Sequence, residues 1–180
     1  AKASKRPANF IGIHFFSPVE RMGLVEITMG KDTTQETLAK TMDYVLKIRK
    51  TPVAVNDFRG FYTSRVFGTY PEEGMTMLAE GIAPAIVENV GRMAGMPMGP
   101  LEVSDSVGID TMLKIGREMA KASGKSYEQN PVGDMVAWIV DTQNRVGRKA
   151  GKGFYDYNEA GKPSRLYPDL GKKIEVKVKE

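Results

Sequence analysis

The chain of 180 residues, 41% hydrophobic and 27% charged, holds material for one medium globular domain or one and a fraction. It has no cysteine and a single histidine, which excludes disulfides and thiolate metal sites and leaves no set of imidazoles for a metal. No apolar run nears the roughly 20 residues of a bilayer span, and the net charge of +4 suits a small anionic ligand better than nucleic acid, for which no aromatic-interleaved basic motif is present.

Residues 1–8 read as the tail of a helix that Pro7 would stop. An opening in mid-element is expected of an excerpt from a longer protein. Two short apolar runs follow, 10–16 and 24–28, with Ser17, Pro18 and Gly23 as breakers between them. Both are β-branched and aromatic-rich and read as strands. The first carries His14 and the second Glu26. Side chains alternate faces along a strand. Paired as an antiparallel hairpin about Glu20, the strands set His14 across from Glu26 and the apolar sets across from each other. A carboxylate beside an imidazole holds the ring in one tautomer and raises its basicity, which is what a general base needs. A structural or solvated pair has the same spacing; the apolar setting of both residues favours function.

Residues 31–50 read as a helix, with Thr33 and Glu36 as a capping box and Leu38, Met42, Val45 and Leu46 as one core-facing stripe. Residues 51–55 form a short strand, Pro52 at its start and Val53 and Val55 alternating. D-F-R-G-F-Y-T-S-R, residues 57–65, then reads as a strand-to-helix turn with Asp57 as N-cap. Such a helix start either offers free N–H groups to an anionic ligand or developing oxyanion, or is a capped helix and no more.

The remainder is helical in pattern. A helix over 61–80 is interrupted by Pro71, which should kink it, and Gly81 ends it. Residues 84–94 form a second, with Ile86, Val90 and Met93 on one face. After a turn at 97–100 come pieces at 101–106 and 109–122, divided by Gly108, and residues 132–145 close the bundle around Met135, Val136, Trp138 and Ile139. Asp105 and Asp110 read as turn and cap residues, and the eleven methionines as adaptable packing or a dimer seam. In G-R-K-A-G-K-G-F-Y-D-Y, residues 147–157, the glycines permit tight turns and Phe154, Tyr155 and Tyr157 can clamp the chain onto the bundle. Arg148, Lys149 and Lys152 form a solvated basic loop or meet a phosphate. Residues 172–180 alternate charge with Ile174, Val176 and Val178, as an edge strand or a frayed tail would.

Three of these stretches together resemble one family, the 3-hydroxyacyl-CoA dehydrogenases. H-F-F-S-P at 14–18 followed by M-G-L-V-E at 22–26 is similar to that family's H-F-F-x-P and M-x-L-V-E. Residues 57–65 are similar to its D-x-x-G-F-x-x-N-R, and residues 147–157 to its G-R-K-S-G-K-G-F-Y-x-Y. The resemblance runs from about Lys5 to Tyr157. It implies an α/β fragment plus an all-α part: the C-terminal strands of a Rossmann-type NAD-binding domain in 1–56, then the family's helical C-terminal domain, for substrate and dimerisation, in 57–180. It also implies oxidation of an L-3-hydroxyacyl-CoA to the 3-ketoacyl-CoA with NAD in fatty-acid β-oxidation, with His14 as catalytic base and Glu26 orienting it.

Where the family has an active-site asparagine, this chain has Ser64, a third candidate catalytic residue whose hydroxyl is shorter than an amide. The variant G-F-Y-T-S-R is most similar to the multifunctional fatty-acid-oxidation proteins. With them come acyl-CoA as the substrate, a homodimer through the helical domain or a thiolase partner, and a bacterial cytoplasm or a mitochondrial or peroxisomal matrix. G-x-G-x-x-G does not occur in the sequence, so the cofactor-binding residues are not identified in this chain. The dinucleotide-binding half is expected upstream, and the isolated chain is expected to be inactive. Two other readings stay open: a non-catalytic helical dimerisation or assembly module, and another β-hydroxyacid dehydrogenase of the 3-hydroxyisobutyrate or 6-phosphogluconate type, whose catalytic-lysine motif no stretch matches.

Overall fold

The computed structural model describes residues 3–178, and the chain divides into two compact units, 1–67 and 68–180. The first is built on a three-stranded sheet of β1 (Ile11–Phe15), β2 (Leu24–Met29) and β3 (Thr51–Asn56), in that order. β1 is antiparallel to β2, and β2 is parallel to β3. A parallel neighbour needs a crossover, here α1 (Gln35–Lys47). The register sets Ile13 opposite Ile27 and His14 opposite Glu26.

The strand period of two sorts the sheet into unlike faces. Val25 and Ile27, both 0% exposed, pack with Ile11, Ile13 and Phe15 against Leu38, Met42 and Val45 of α1. His14, Glu26 and Thr28 project to the other face. An open cleft of ≈490 Å³, lined by Ile11, Ile13, Lys40, Thr41 and Tyr44 among others, lies on the apolar side and therefore away from His14.

The helix differs from expectation in two details. Its N-cap is Thr34, whose Oγ1 accepts from Thr37 N–H at 3.3 Å. Thr33 instead accepts from Gly30 N–H and donates to the Phe10 carbonyl, and Glu36 pairs with Lys40 rather than reaching back. Leu46 leaves the predicted stripe and is 57% exposed, because Val45 already fills the inward position. Ahead of β1, Pro7 does not stop a helix but begins a single 3-10 turn, Pro7–Asn9; residues 1 and 2 of the predicted helix tail lie outside the described residues.

The second unit gathers the later turns of α2 (Thr63–Ala79), which continues through Pro71, with α3 (Pro84–Met93), α4 (Pro100–Val107), α5 (Ile109–Ala122) and α6 (Pro131–Ala137). A π-helical turn, Trp138–Thr142, extends α6. Leu78, Leu101, Ile109, Ile139, Phe154 and Leu170 form its core, each 0% exposed. Within this helical part stands one small addition, the antiparallel pair β4 (Tyr155–Tyr157) and β5 (Pro163–Leu166). Residues 172–178 form no sheet edge, and their end is tied down. A short α7 (Leu170–Lys173) leads to Val178, which bridges Ile82 while Lys177 and Val178 donate to the Gly81 carbonyl; Lys179 and Glu180 lie outside the described residues.

On α3 the predicted apolar face points outward, with Val90 47% and Met93 85% exposed. The buried stripe is Val87, Glu88 and Gly91, and a carboxylate in that stripe broke the hydrophobic pattern. Glu88, 1% exposed, accepts from Leu101 N–H at 2.6 Å and from the Tyr155 hydroxyl at 2.9 Å. Asp105, also 1% exposed, accepts from Phe154 N–H at 2.7 Å, Tyr155 N–H at 2.9 Å and the Tyr157 hydroxyl at 3.0 Å. A Cβ at Gly153 would lie 2.0 Å from Asp105 Oδ1, so only glycine lets the backbone approach this closely. Arg145 completes the clamp, donating to the Gly153 and Tyr155 carbonyls and to Asp156 while its guanidinium lies 3.9 Å over the Tyr167 ring. The 147–157 motif is thus a buried polar clasp, and Lys149 of its basic loop pairs with Asp110 at 2.6 Å.

Burial raises the Asp105 pKa from 3.8 to about 6, against the pull of the Tyr155 and Phe154 N–H groups. Replacing Asp105 by Asn would point an amide N–H at backbone donors and should cost about 1–3 kcal/mol of stability. Because the folded state holds a proton that the unfolded chain releases, the contribution of Asp105 is greatest at low pH. The margin of wild type over D105N should therefore shrink as pH rises from 3.8 toward about 6. Urea unfolding of both proteins across that range checks it, and a margin that widens contradicts it.

Candidate active site

Strand pairing alone carries His14 to Glu26: Nδ1 lies 2.8 Å from Glu26 Oε2. Glu26 is 0% exposed, and a carboxylate so placed must be fully hydrogen-bonded or shed its charge. Its Oε1 accepts two backbone N–H groups, Tyr62 at 3.0 Å and Thr63 at 2.8 Å. Burial by itself raises the Glu26 pKa, but the Thr63 N–H, the His14 ring and the Tyr62 N–H together bring it below the ordinary 4.5. Glu26 is thus ionised at neutral pH, and a carboxylate can only accept. The proton in the 2.8 Å contact therefore sits on His14 Nδ1, and the neutral ring presents a bare lone pair at Nε2. Nε2 has no hydrogen-bond partner among the described residues, and the His14 side chain is 39% exposed. The arrangement can take a proton from a group brought to Nε2 and hold the resulting cation beside Glu26.

The segment 57–62 is a turn rather than the first turn of a helix. Gly60 has φ +78° and Phe61 φ +45°, and Phe61 N–H closes onto the Phe58 carbonyl at 2.9 Å. α2 starts only at Thr63, so Asp57 is not its N-cap. The anion at this helix start is Glu26 itself, which takes the place foreseen for a ligand. Ser64 lies in the first turn of α2, exposed, next to the Thr63 N–H that binds Glu26; its hydroxyl has no hydrogen-bond partner among the described residues.

Three residues that the sequence motifs gave no role frame the pair. Phe16 and Phe61 flank the His14 ring, at centroid distances of 4.7 and 5.6 Å. Lys50 reaches the turn between β1 and β2 and donates to the Val19 and Met22 carbonyls at 2.6 and 2.7 Å, fixing the connection between the two strands. Among the described residues no three acidic, histidine or cysteine side chains could hold a metal ion, and no helix is long and apolar enough to cross a membrane.

Known proteins share this plan. Residues 1–58 match the model of the 3-hydroxyacyl-CoA dehydrogenase NAD binding domain, and residues 60–157 match that of the 3-hydroxyacyl-CoA dehydrogenase C-terminal domain. The fatty acid oxidation complex subunit alpha of Shewanella amazonensis is 38% identical over 178 residues, 99% of this chain but 24% of that protein. Its counterpart in Shewanella oneidensis is 39% identical over 162 residues, 90% of this chain and 22% of that one. The chain therefore spans about a quarter of these relatives. Among solved structures, 3-hydroxybutyryl-CoA dehydrogenase from Escherichia coli K12 superposes with a TM-score of 0.74 at 32% identity, covering 86% of this chain and 33% of that one. The dehydrogenase part of multifunctional enzyme 1 from C. elegans covers 97% of this chain and 38% of its own, with a TM-score of 0.64 at 28% identity. Two family domains thus match in succession from residue 1 to residue 157, and the chain belongs to the 3-hydroxyacyl-CoA dehydrogenase family.

Proposed function

We propose that this chain supplies the proton-transfer half of an NAD-dependent L-3-hydroxyacyl-CoA dehydrogenase, with His14 as catalytic base and Glu26 as the residue that orients it. The observation that carries this is the 2.8 Å contact between His14 Nδ1 and a fully buried Glu26, which fixes the tautomer and leaves Nε2 bare. His14 Nε2 takes the proton of the 3-hydroxyl group as C3 is oxidised to the ketone, and Glu26 stabilises the imidazolium that results. In the reverse direction the imidazolium returns the proton. NAD, when bound, supplies the hydride acceptor. The residues of this chain fit only the proton-transfer part: no G-x-G-x-x-G turn occurs in the sequence, and we assign the phosphate cradle to another part of a longer protein. The first-turn position of Ser64 on α2 supports a polar contact to the substrate. The relatives are named as alpha subunits of a fatty acid oxidation complex, which supports a place in a multi-subunit assembly of the bacterial cytoplasm acting on acyl-CoA.

H14Q in the complete protein should lower kcat by about 10²–10⁴-fold with little change in KM. Wild-type turnover of acetoacetyl-CoA with NADH in that variant would end the assignment. For Ser64, S64A should lower kcat/KM by about 10-fold, the loss of one hydrogen bond to bound substrate; an unchanged value removes Ser64 from the site. The 180-residue chain alone, titrated with NAD in a calorimeter, should give no binding heat, and micromolar binding would locate a nucleotide site within it.

A further inference from the structure

Phe61 is conformationally out of place. Left-handed backbone is costly for a bulky side chain, yet Phe61 holds φ +45° directly after Gly60 at φ +78°. Arg49 and Asn144 also have positive φ, but each follows the end of a helix, where a left-handed residue is a common stop. Phe61 stands instead just ahead of α2, and two features of the His14 site converge on it. Its backbone turn directs the next two N–H groups, Tyr62 and Thr63, onto Glu26 Oε1. Its ring lies 5.6 Å from the His14 ring, tilted by 55°. A glycine here would relieve the backbone and keep the turn, but it would leave the imidazole uncovered.

That matters because His14 makes a single hydrogen bond among the described residues, through Nδ1. A ring tethered at one atom can pivot and leave that contact for part of the time, and neither its tautomer nor the direction of its free nitrogen is then fixed. Phe16, at 4.7 Å, restrains it from the same strand, and Phe61 restrains it from the segment that holds Glu26. We propose that Phe61 is a positioning residue of the dehydrogenase, its left-handed backbone aiming two N–H groups at Glu26 and its ring fixing the direction of His14 Nε2. This rests on the proton-transfer reading given above, and it adds a residue that acts through both partners.

The test uses F61G, which relieves the backbone and removes the ring, and F61Y, which keeps the ring. In the complete protein F61G should lower kcat by about 10–100-fold with KM held within about 3-fold, because a misaimed base is lost from turnover rather than from binding. Its Tm should not fall, since glycine is at ease at positive φ, and F61Y should recover most of the loss. In the 180-residue chain His14 is the only histidine, so ¹⁵N-histidine NMR in alkaline buffer reads its tautomer directly. Wild type should show a protonated Nδ1 and a bare Nε2, and F61G should move both shifts toward the average of the two tautomers. Wild-type kcat in F61G, or a lost kcat with a lowered Tm and an unchanged ¹⁵N pattern, overturns the proposal. Should F61G fail to fold, F61L fills the space without an aromatic face, and wild-type kcat there overturns the role of the ring. A wild-type protein without NAD-dependent turnover would sink the proton-transfer reading instead, and the ¹⁵N comparison still decides whether Phe61 orders His14.

Discussion

The carboxylate of Glu26 has no exposed surface and three donors, one imidazole and two backbone N–H groups. Withdrawing a charge from water costs several kcal/mol unless its lone pairs are met. Here the two N–H groups belong to the end of a turn and the start of a helix, where backbone donors have no partner within the helix. The helix start supplies what the buried carboxylate lacks, and the carboxylate supplies what the helix start lacks. The sheet, the 57–62 turn and the first residue of α2 are held in register by that exchange, and the tautomer of His14 follows from it.

The second unit uses the same device twice. Glu88 accepts from the first turn of α4, and Asp105 accepts from Phe154 and Tyr155 N–H groups that open β4. In each case a buried acid gathers main-chain donors from a distant stretch of sequence. The three sites differ in what completes them. Tyrosine hydroxyls close Glu88 and Asp105, and those hydroxyls are themselves held protonated by burial and the neighbouring acid. At Glu26 the remaining place belongs to an imidazole, the one partner of the three with a second ring nitrogen left to accept a proton. The proposed proton transfer rests on that difference of partner.

The opposition of His14 and Glu26 was legible because two strands of period two, joined about Glu20, leave a single register that pairs the apolar residues. The α1 crossover and β3 followed from ordinary patterning. What stayed hidden depends on contacts far apart in the chain. The start of α2 could not be placed from Asp57, because the Gly60–Phe61 turn is set by a carboxylate 36 residues away from Tyr62. Asp105 looked like a cap because its partners lie 49 and 50 residues on. Glu88 disguised the buried face of α3 for the same reason, and Val90 and Met93 imitated a core stripe at the same spacing. Thr33 and Thr34 stand side by side, and only the Phe10 carbonyl decides which of them caps α1.

The donors on Glu26 belong to the main chain of Tyr62 and Thr63, and Tyr62 keeps 59% of its surface in solvent. Inheritance can therefore rewrite the side chain at position 62 without disturbing the charge beneath it. The side chain turned to solvent and the N–H that holds the buried charge are separate parts of the same residue. A lineage built this way can change the face it turns to solvent while the charge beneath stays held.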